Sequence, residues 1–367
     1  SLTMVMVDNS SIIFLSENDG YSNNNGQTML DQNQNIIDTN IGTANYDIGH
    51  VFSTGGGGIA VLDSPCDPTT KAQGVTGLAS PIGGIFDVEF VAHEMGHQFG
   101  ANHTWSSNNG SCVSEQWVSS SSYEPGSGTT IMSYAGLCAP DNVEFNADDY
   151  FHIISIQEMW ANISDDNCDD ESSAGNTTPT AIAGSDYTIP ISTPFKLIGD
   201  SSDPDPSGVS THTYTWEQYD FATSQEPILE ENTTGPLVRS YAPSINPVRY
   251  IPNLNDLRIS NGSTAWEKLA SVPRTLNFQL TVRDNGSGGD YGQTHSNAKI
   301  ITVVDVDEGR PFQVTSQKTT GISYTEGSMQ TVTWNVAGTT GGVINTSNVN
   351  IWLSIDGGGT YSTLLLN

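Results

Sequence analysis

Three of the seven histidines of this 367-residue chain fall between His93 and His103, and a glutamate, Glu94, directly follows the first of them. Imidazole nitrogens are good ligands for zinc, and histidines spaced i and i+4 on a helix lie on one face, so His93 and His97 can reach one ion. Glu94 then projects beside that ion and not onto it. A helix running straight on would carry His103 out of reach. Gly100 is the residue type that allows a left-handed turn at low cost, and it lets the third nitrogen swing back. Three imidazoles with no cysteine in the motif leave a fourth position open, as in catalytic zinc sites, whereas structural sites are closed by four protein ligands. The pattern H-E-x-x-H-x-x-G-x-x-H has five fixed residues and should arise by chance in a chain of this length on the order of once in ten thousand sequences. The chemistry it points to is metal-assisted hydrolysis with Glu94 as general base.

Positioning these groups requires a helix over 87–99 and a turn after it. Apolar spacing predicts an amphipathic helix over Gln27 to Ile41 and a second over Asp149 to Ile163, on which His152 reads as structural. Residues 2–7 and 11–15 and the stretch Asp47 to Thr54 read as strands. The run Gly55 to Gly58 lacks the G-x-x-x-x-G-K-[ST] pattern of a phosphate loop and reads as a flexible turn. Ile59 to Leu62 should then be an edge strand over the cleft. A strand rim offers unpaired N–H and C=O groups to an extended peptide, which makes Gly58, Ile59, Ala60 and Val61 candidates for substrate binding. A serine hydrolase is disfavoured because no G-x-S-x-G occurs in the chain.

The extended motif resembles that of the metzincin zinc peptidases, and the segment Thr129-Thr130-Ile131-Met132-Ser133-Tyr134 looks like their Met-turn. The resemblance implies an apolar floor at Met132 beneath the three metal-bound imidazoles. It also matches Tyr134 to the tyrosine of astacin-like and serralysin-like members, which binds zinc in the resting enzyme or donates a hydrogen bond to the oxyanion. The run Gly57 to Gly77, with Cys66-Asp67-Pro68, resembles the adamalysin/reprolysin branch. Two departures are Thr104 in place of the usual aspartate after the third histidine, and Tyr134 itself, which reprolysins lack. The resemblance covers residues 1–168 and implies a bacterial secreted zinc endopeptidase acting on polypeptides, reprolysin-like in kind. Metzincin domains usually open with a strand and helix ahead of the strand that Leu2 to Val7 resembles, so the domain here is expected to lack them. The alternative is a non-enzymatic adhesin or binding protein built on an inactive peptidase scaffold, for which an intact H-E-x-x-H has no physical need.

Eleven basic against forty-one acidic residues give a net charge of -30, which argues against nucleic acid and anionic membranes as partners. No apolar run is long enough for membrane insertion, Ser1 does not open a signal sequence, and a monomer is expected. Four cysteines, none in a C-x-x-C pair, favour disulfides and an extracellular location. Of the three possible pairings, Cys112 with Cys138 and Cys66 with Cys168 is preferred, since these would brace the cleft. Beyond a linker at 169–178 the pattern changes to short β-rich runs. The fold class expected is multidomain: an α/β (α+β) metzincin domain, then an all-β sandwich at 179–307 resembling polycystic-kidney-disease-type and immunoglobulin-like modules, then a partial third β module at 308–367. The β modules read as spacers in preference to substrate-binding units. The acidic loop Asp200 to Asp205 is a candidate for Ca2+, although Tyr214 stands where an EF-hand needs its glutamate. Ser354 to Tyr361 resembles an Asp-box hairpin, and the chain is expected to be truncated or processed at both ends.

Overall fold

The computed structural model describes residues 4–6, 9–14, 18–165, 168, 175–205, 208–260, 262–286, 291–307, 309–317, 319 and 321–366. Helix α1, Gly26–Asn40, starts where the Asn25 side chain accepts a hydrogen bond from Thr28 N at 3.1 Å, satisfying one of the donors a helix leaves free at its first turn. Its buried face carries Met29, Leu30 and Ile37, with Asn33 and Gln34 between them. Those two amides are not wasted in the core: Asn33 donates to Ala72 O and Gln34 accepts from Ala72 N, fixing the chain that leads into the sheet.

That sheet has three strands, β1 (Val51–Ser53), β2 (Gly57–Ala60) and β3 (Gly74–Gly77), in the order β1-β3-β2. Strand β1 runs parallel to β3 and β2 antiparallel to it, so β2 forms an edge. The edge begins two residues earlier than its sequence suggests. Gly57 and Gly58 pair with Gly77 and Thr76 and belong to the strand instead of a flexible turn, and Leu62 lies beyond it. Val75, from β3, packs with Met29 and Leu30, while Val51 and Ile59 flank them.

Expected strands near the N-terminus are not found among the described residues 4–6 and 9–14, where Asn9–Ser11 forms a single helical turn. The apolar side chains that suggested strands are exposed, Val5 by 85% and Met6 by 78%, and no neighbouring strand takes up their backbone. The rest of 2–7 and 11–15 lies outside the described residues, as does most of the expected linker.

A π-helical stretch, Ile85–Ala92, runs without a break into helix α2, His93–Gln98. Gln98 fastens α2 beneath the sheet. Its Nε2 donates to Gly49 O, and its Oε1 meets His50 Nδ1 at 2.7 Å, while His50 Nε2 lies 2.8 Å from Thr76 Oγ1 on β3. Burial pulls the His50 pKa down to about 4, so this link stays neutral and intact across ordinary pH. Disulfides join Cys66 to Cys168 and Cys112 to Cys138. No described helix is long and apolar enough to cross a membrane.

The second unit is built on a four-stranded sheet of β5 (Tyr187–Pro190), β11 (Thr294–Val304), β10 (Arg274–Arg283) and β8 (Thr213–Gln218), in that order. Two-stranded pairs, β4 (Thr180–Ile182) with β7 (Asp200–Ser202) and β6 (Phe195–Ile198) with β9 (Val248–Ile251), share its core of Leu197, Trp216, Ile251, Leu276, Phe278, Leu280 and Ile301. Further on, β12 (Gln313–Val314) pairs with β13 (Trp334–Asn335) and β14 (Ile351–Leu353) with β15 (Thr363–Leu366). In the Asp200 to Asp205 loop, Asp203 accepts from Asp205 N and faces His212 Nε2, and Asp205 accepts from Thr177, so these carboxylates are engaged by protein donors.

The two units meet closely, which a spacer role does not require. Helix α3, Ile153–Asp165, begins four residues later than its apolar pattern suggests. Its first N–H, from Ile153, donates to Glu217 Oε2 on β8 at 3.1 Å, and Ile154 N donates to His152 Nδ1 at 3.2 Å. A carboxyl group from the second unit therefore caps a helix of the first, accepting from an N–H that the helix leaves free. Nearby, Arg283 of β10 donates to Phe151 O.

Burial pushes the Glu217 carboxyl up to about 7 in spite of Arg283, and burial pulls His152 down to about 4. These shifts act on stability in opposite senses. The raised carboxyl makes the folded chain lose stability as pH rises from about 4.5 to about 7, and the depressed imidazole makes it gain stability from about 4 to about 6.5. The two slopes oppose one another across the shared window. In Glu217→Gln only the histidine's contribution remains, so the melting temperature measured by calorimetry should climb more steeply than in the wild-type chain between about pH 4.5 and 6.5. Parallel curves would show that the pair does not act this way.

Candidate active site

Three segments converge on one point. Helix α2 supplies His93 and His97 from one face, and the chain then reverses at Gly100, whose φ of +99° is a conformation side chains disfavour. The turn returns His103 to the helix. His93 Nε2 and His97 Nε2 lie 3.3 and 3.1 Å from His103 Nε2. Nitrogens coordinated tetrahedrally to zinc at ~2.05 Å would be separated by ~3.3 Å.

The opposite ring nitrogens decide the protonation. His93 Nδ1 lies 2.7 Å from Ile131 O, His97 Nδ1 2.7 Å from Ala101 O and His103 Nδ1 2.8 Å from Gln116 O. A carbonyl oxygen can only accept, so each Nδ1 carries the hydrogen and each neutral ring presents a bare Nε2 lone pair inward. Three lone pairs at this separation cannot hydrogen-bond to one another. They repel until a cation lies among them. Burial depresses all three imidazoles, His93 to about 3, and the neighbouring rings add to the effect at His93 and His97. Both effects favour the neutral rings. Among the described residues no other cluster of three His, Cys, Asp or Glu side chains brings its ligand atoms this close.

Residues 2–104 match the family described as Metallo-peptidase family M12B Reprolysin-like. A reprolysin-like metallopeptidase domain thus occupies this part of the chain, and the match ends one residue past His103, taking in all three histidines and Glu94. No curated protein matches the chain.

Beyond the reprolysin-like segment, Met132 is fully buried, and a β-carbon on Gly96 would come within 2.4 Å of its sulfur. The methionine therefore packs on the helix between the first two histidines, and only a glycine there permits the approach. Tyr134 stands with its ring 4.5 Å from that of His103, and its hydroxyl donates to Gln116 Oε1 at 3.1 Å. Burial, with the charge of Glu94, pushes the phenol up to about 12. Of the four edge residues, Gly58, Ile59 and Ala60 lie on β2, and Val61 follows it with its N–H donated inward to Gln73 O.

Glu94 is buried, and burial pushes its carboxyl up to about 8. Its carboxylate lies against Gly58, where an added β-carbon would sit 2.2 Å from Oε1. The edge strand and the candidate base are in direct contact.

Two residues with no motif to announce them complete the site. Glu124, fully buried in the loop after His103, accepts from Thr104 Oγ1 at 2.6 Å and Thr129 N at 2.9 Å, and also from Thr130. It ties the residue after the third histidine to the segment leading to Met132. Thr104 thus meets a carboxylate that comes from twenty residues further on. Gln116 gives its carbonyl to His103 and its side chain to Tyr134. Both lie in a stretch rich in Ser, Asn and Gly that holds two glutamates, Glu115 and Glu124, and nothing in the sequence singles out the second.

Gly58→Ala should displace Glu94 while leaving the histidines in place. Turnover should fall on the order of 100-fold, the scale for a catalytic group misplaced by about 1 Å. Metal analysis should show the same zinc content as the wild-type chain. Unchanged kcat would mean that the contact does not position Glu94.

Proposed function

We propose that the chain is a secreted zinc-dependent endopeptidase that hydrolyses peptide bonds of extracellular proteins, with Glu94 as general base. The observation that carries this reading is the inward convergence of three bare Nε2 atoms with Glu94 beside them. The donor set fits zinc: three neutral nitrogens within 4.8 Å of one another, two of them at tetrahedral separation from the third, each with its Nδ1–H held by a backbone carbonyl. His93, His97 and His103 would hold it, and it would supply Lewis acidity toward the scissile carbonyl and toward water.

The chain's own residues do the rest. Glu94 takes the proton of the attacking water and delivers it to the leaving amine, a task suited to a buried carboxyl of raised proton affinity. Tyr134 exchanges its bond to Gln116 for one to the developing oxyanion. The outer rim of β2, with Gly58, Ile59 and Ala60, and Val61 just past its end, aligns an extended peptide across the cleft. Met132 supplies the apolar floor. Two disulfides and a net charge of -30 support an extracellular setting. The β-rich second unit supports assignment of 179–307 to the polycystic-kidney-disease and immunoglobulin-like modules of bacterial secreted enzymes.

Glu94→Gln should retain stoichiometric zinc and lose nearly all cleavage of casein or a quenched peptide, and substantial residual turnover would remove Glu94 from the role of base. Tyr134→Phe should cost on the order of 10- to 1000-fold in kcat, the range of a lost oxyanion donor. A wild-type kcat in that variant would reduce Tyr134 to a packing residue.

A further inference from the structure

The second unit reaches into the active-site loop. Directly after β8, the segment 219–225 leaves the sheet and runs along the first unit. Its base is firm: Tyr219 N donates to Asn277 O at 2.7 Å, and Asp220 accepts from Asn277 N at 3.0 Å and pairs with Arg274 at 3.6 Å. Its outer part belongs to the other unit. Tyr219 stacks on Tyr123 with centroids 4.5 Å apart, Ala222 N donates to Ser122 O at 2.8 Å, and Ser119 Oγ donates to Ala222 O at 2.8 Å. Gln225 Nε2 then donates to Ser107 O at 2.5 Å and Cys112 O at 3.3 Å, while Asn108 Nδ2 returns a bond to Gln225 O at 3.2 Å.

Those contacts fall on both arms of one loop, at residues 107–112 and 119–123, and Gln116 lies between them. Gln116 holds the Nδ1–H of His103 and the hydroxyl of Tyr134. The loop itself is poor in regular structure, with only the short turns Ser114–Gln116 and Ser119–Ser121. The first unit ties the loop's arms through the Cys112–Cys138 disulfide, the bonds of Ser107 and Asn109 to Asp141, and those of Ser121 to Glu158 and Ser122 to Trp105 O, and the strap adds a second set of ties to the same two arms. Hydrogen-bond partners such as the Gln116 carbonyl set ring orientation and ligand basicity, and their loss typically weakens metal binding 10- to 100-fold.

We infer that the strap 219–225 makes the second unit part of the catalytic apparatus, with Gln225 as a positioning residue that acts through the Ser107–Gln116 loop on His103 and Tyr134. This rests on the metallopeptidase reading and adds to it a function for the β unit other than spacing.

The test uses the full chain carrying Gln225→Glu, which sets a carboxylate against two carbonyl oxygens, and Gln225→Ala, which removes the donors without adding charge. Asn176→Ala is the control, since among the described residues the bonds of Asn176 run to Asp284 and Tyr291 O of the second unit. Zinc affinity is measured by chelator competition, ligand geometry by the visible spectrum of the cobalt(II)-loaded chain, and kcat and KM on one peptide. Both Gln225 variants should bind zinc about 10-fold more weakly and shift the cobalt bands. They should lose kcat with KM little changed, while the control matches wild type. If either folded variant keeps wild-type zinc affinity, cobalt spectrum and kcat, the strap is not a positioning element, even though the wild-type chain remains a zinc peptidase. A wild-type chain that neither binds zinc nor cleaves peptides would instead overturn the functional reading, and this inference with it.

Discussion

Three imidazole lone pairs turned toward one point, those of His93 and His97 at hydrogen-bond distance from that of His103 with no proton to share, set the terms for the rest of the structure. Such an arrangement is repulsive by itself and is held only because each ring is pinned from behind. The pins are backbone carbonyls from three places: Ile131 next to Met132, Ala101 in the turn after α2, and Gln116 in the long loop. Each of those carbonyls needs a rigid seat. The Gln98–His50–Thr76 chain seats α2 beneath the sheet, Glu124 seats the approach to Met132, and the strap from the second unit braces the loop.

Much of the site is legible in the sequence because its first layer depends on local spacing. A helical period places His93 and His97 together, and one glycine explains how His103 returns. The amphipathic patterns of α1 and α3 are likewise local properties of apolar spacing.

What the sequence hides is long-range. Glu124, Gln116 and Gln225 are ordinary polar residues in loops, and their roles come from what lies opposite them once the chain has folded. The late start of α3 has the same origin, because its cap, Glu217, is 64 positions away. The edge strand was misplaced for a subtler reason. A glycine run reads as a turn, yet Gly58 is in the strand because Glu94 occupies the space a side chain would need. The N-terminal apolar runs failed as strands because a pattern of residues supplies no pairing partner.

The cross-unit cap on α3 also bears on the order in which the molecule comes into being. A chain made from its amino end produces α3 well before Glu217, and the Ser107–Gln116 loop well before the strap that braces it. The histidines are therefore present long before the surroundings that aim them. A metal centre assembled in this order matures late, when most of the polypeptide has emerged, and until then its ligands lack the surroundings that aim them.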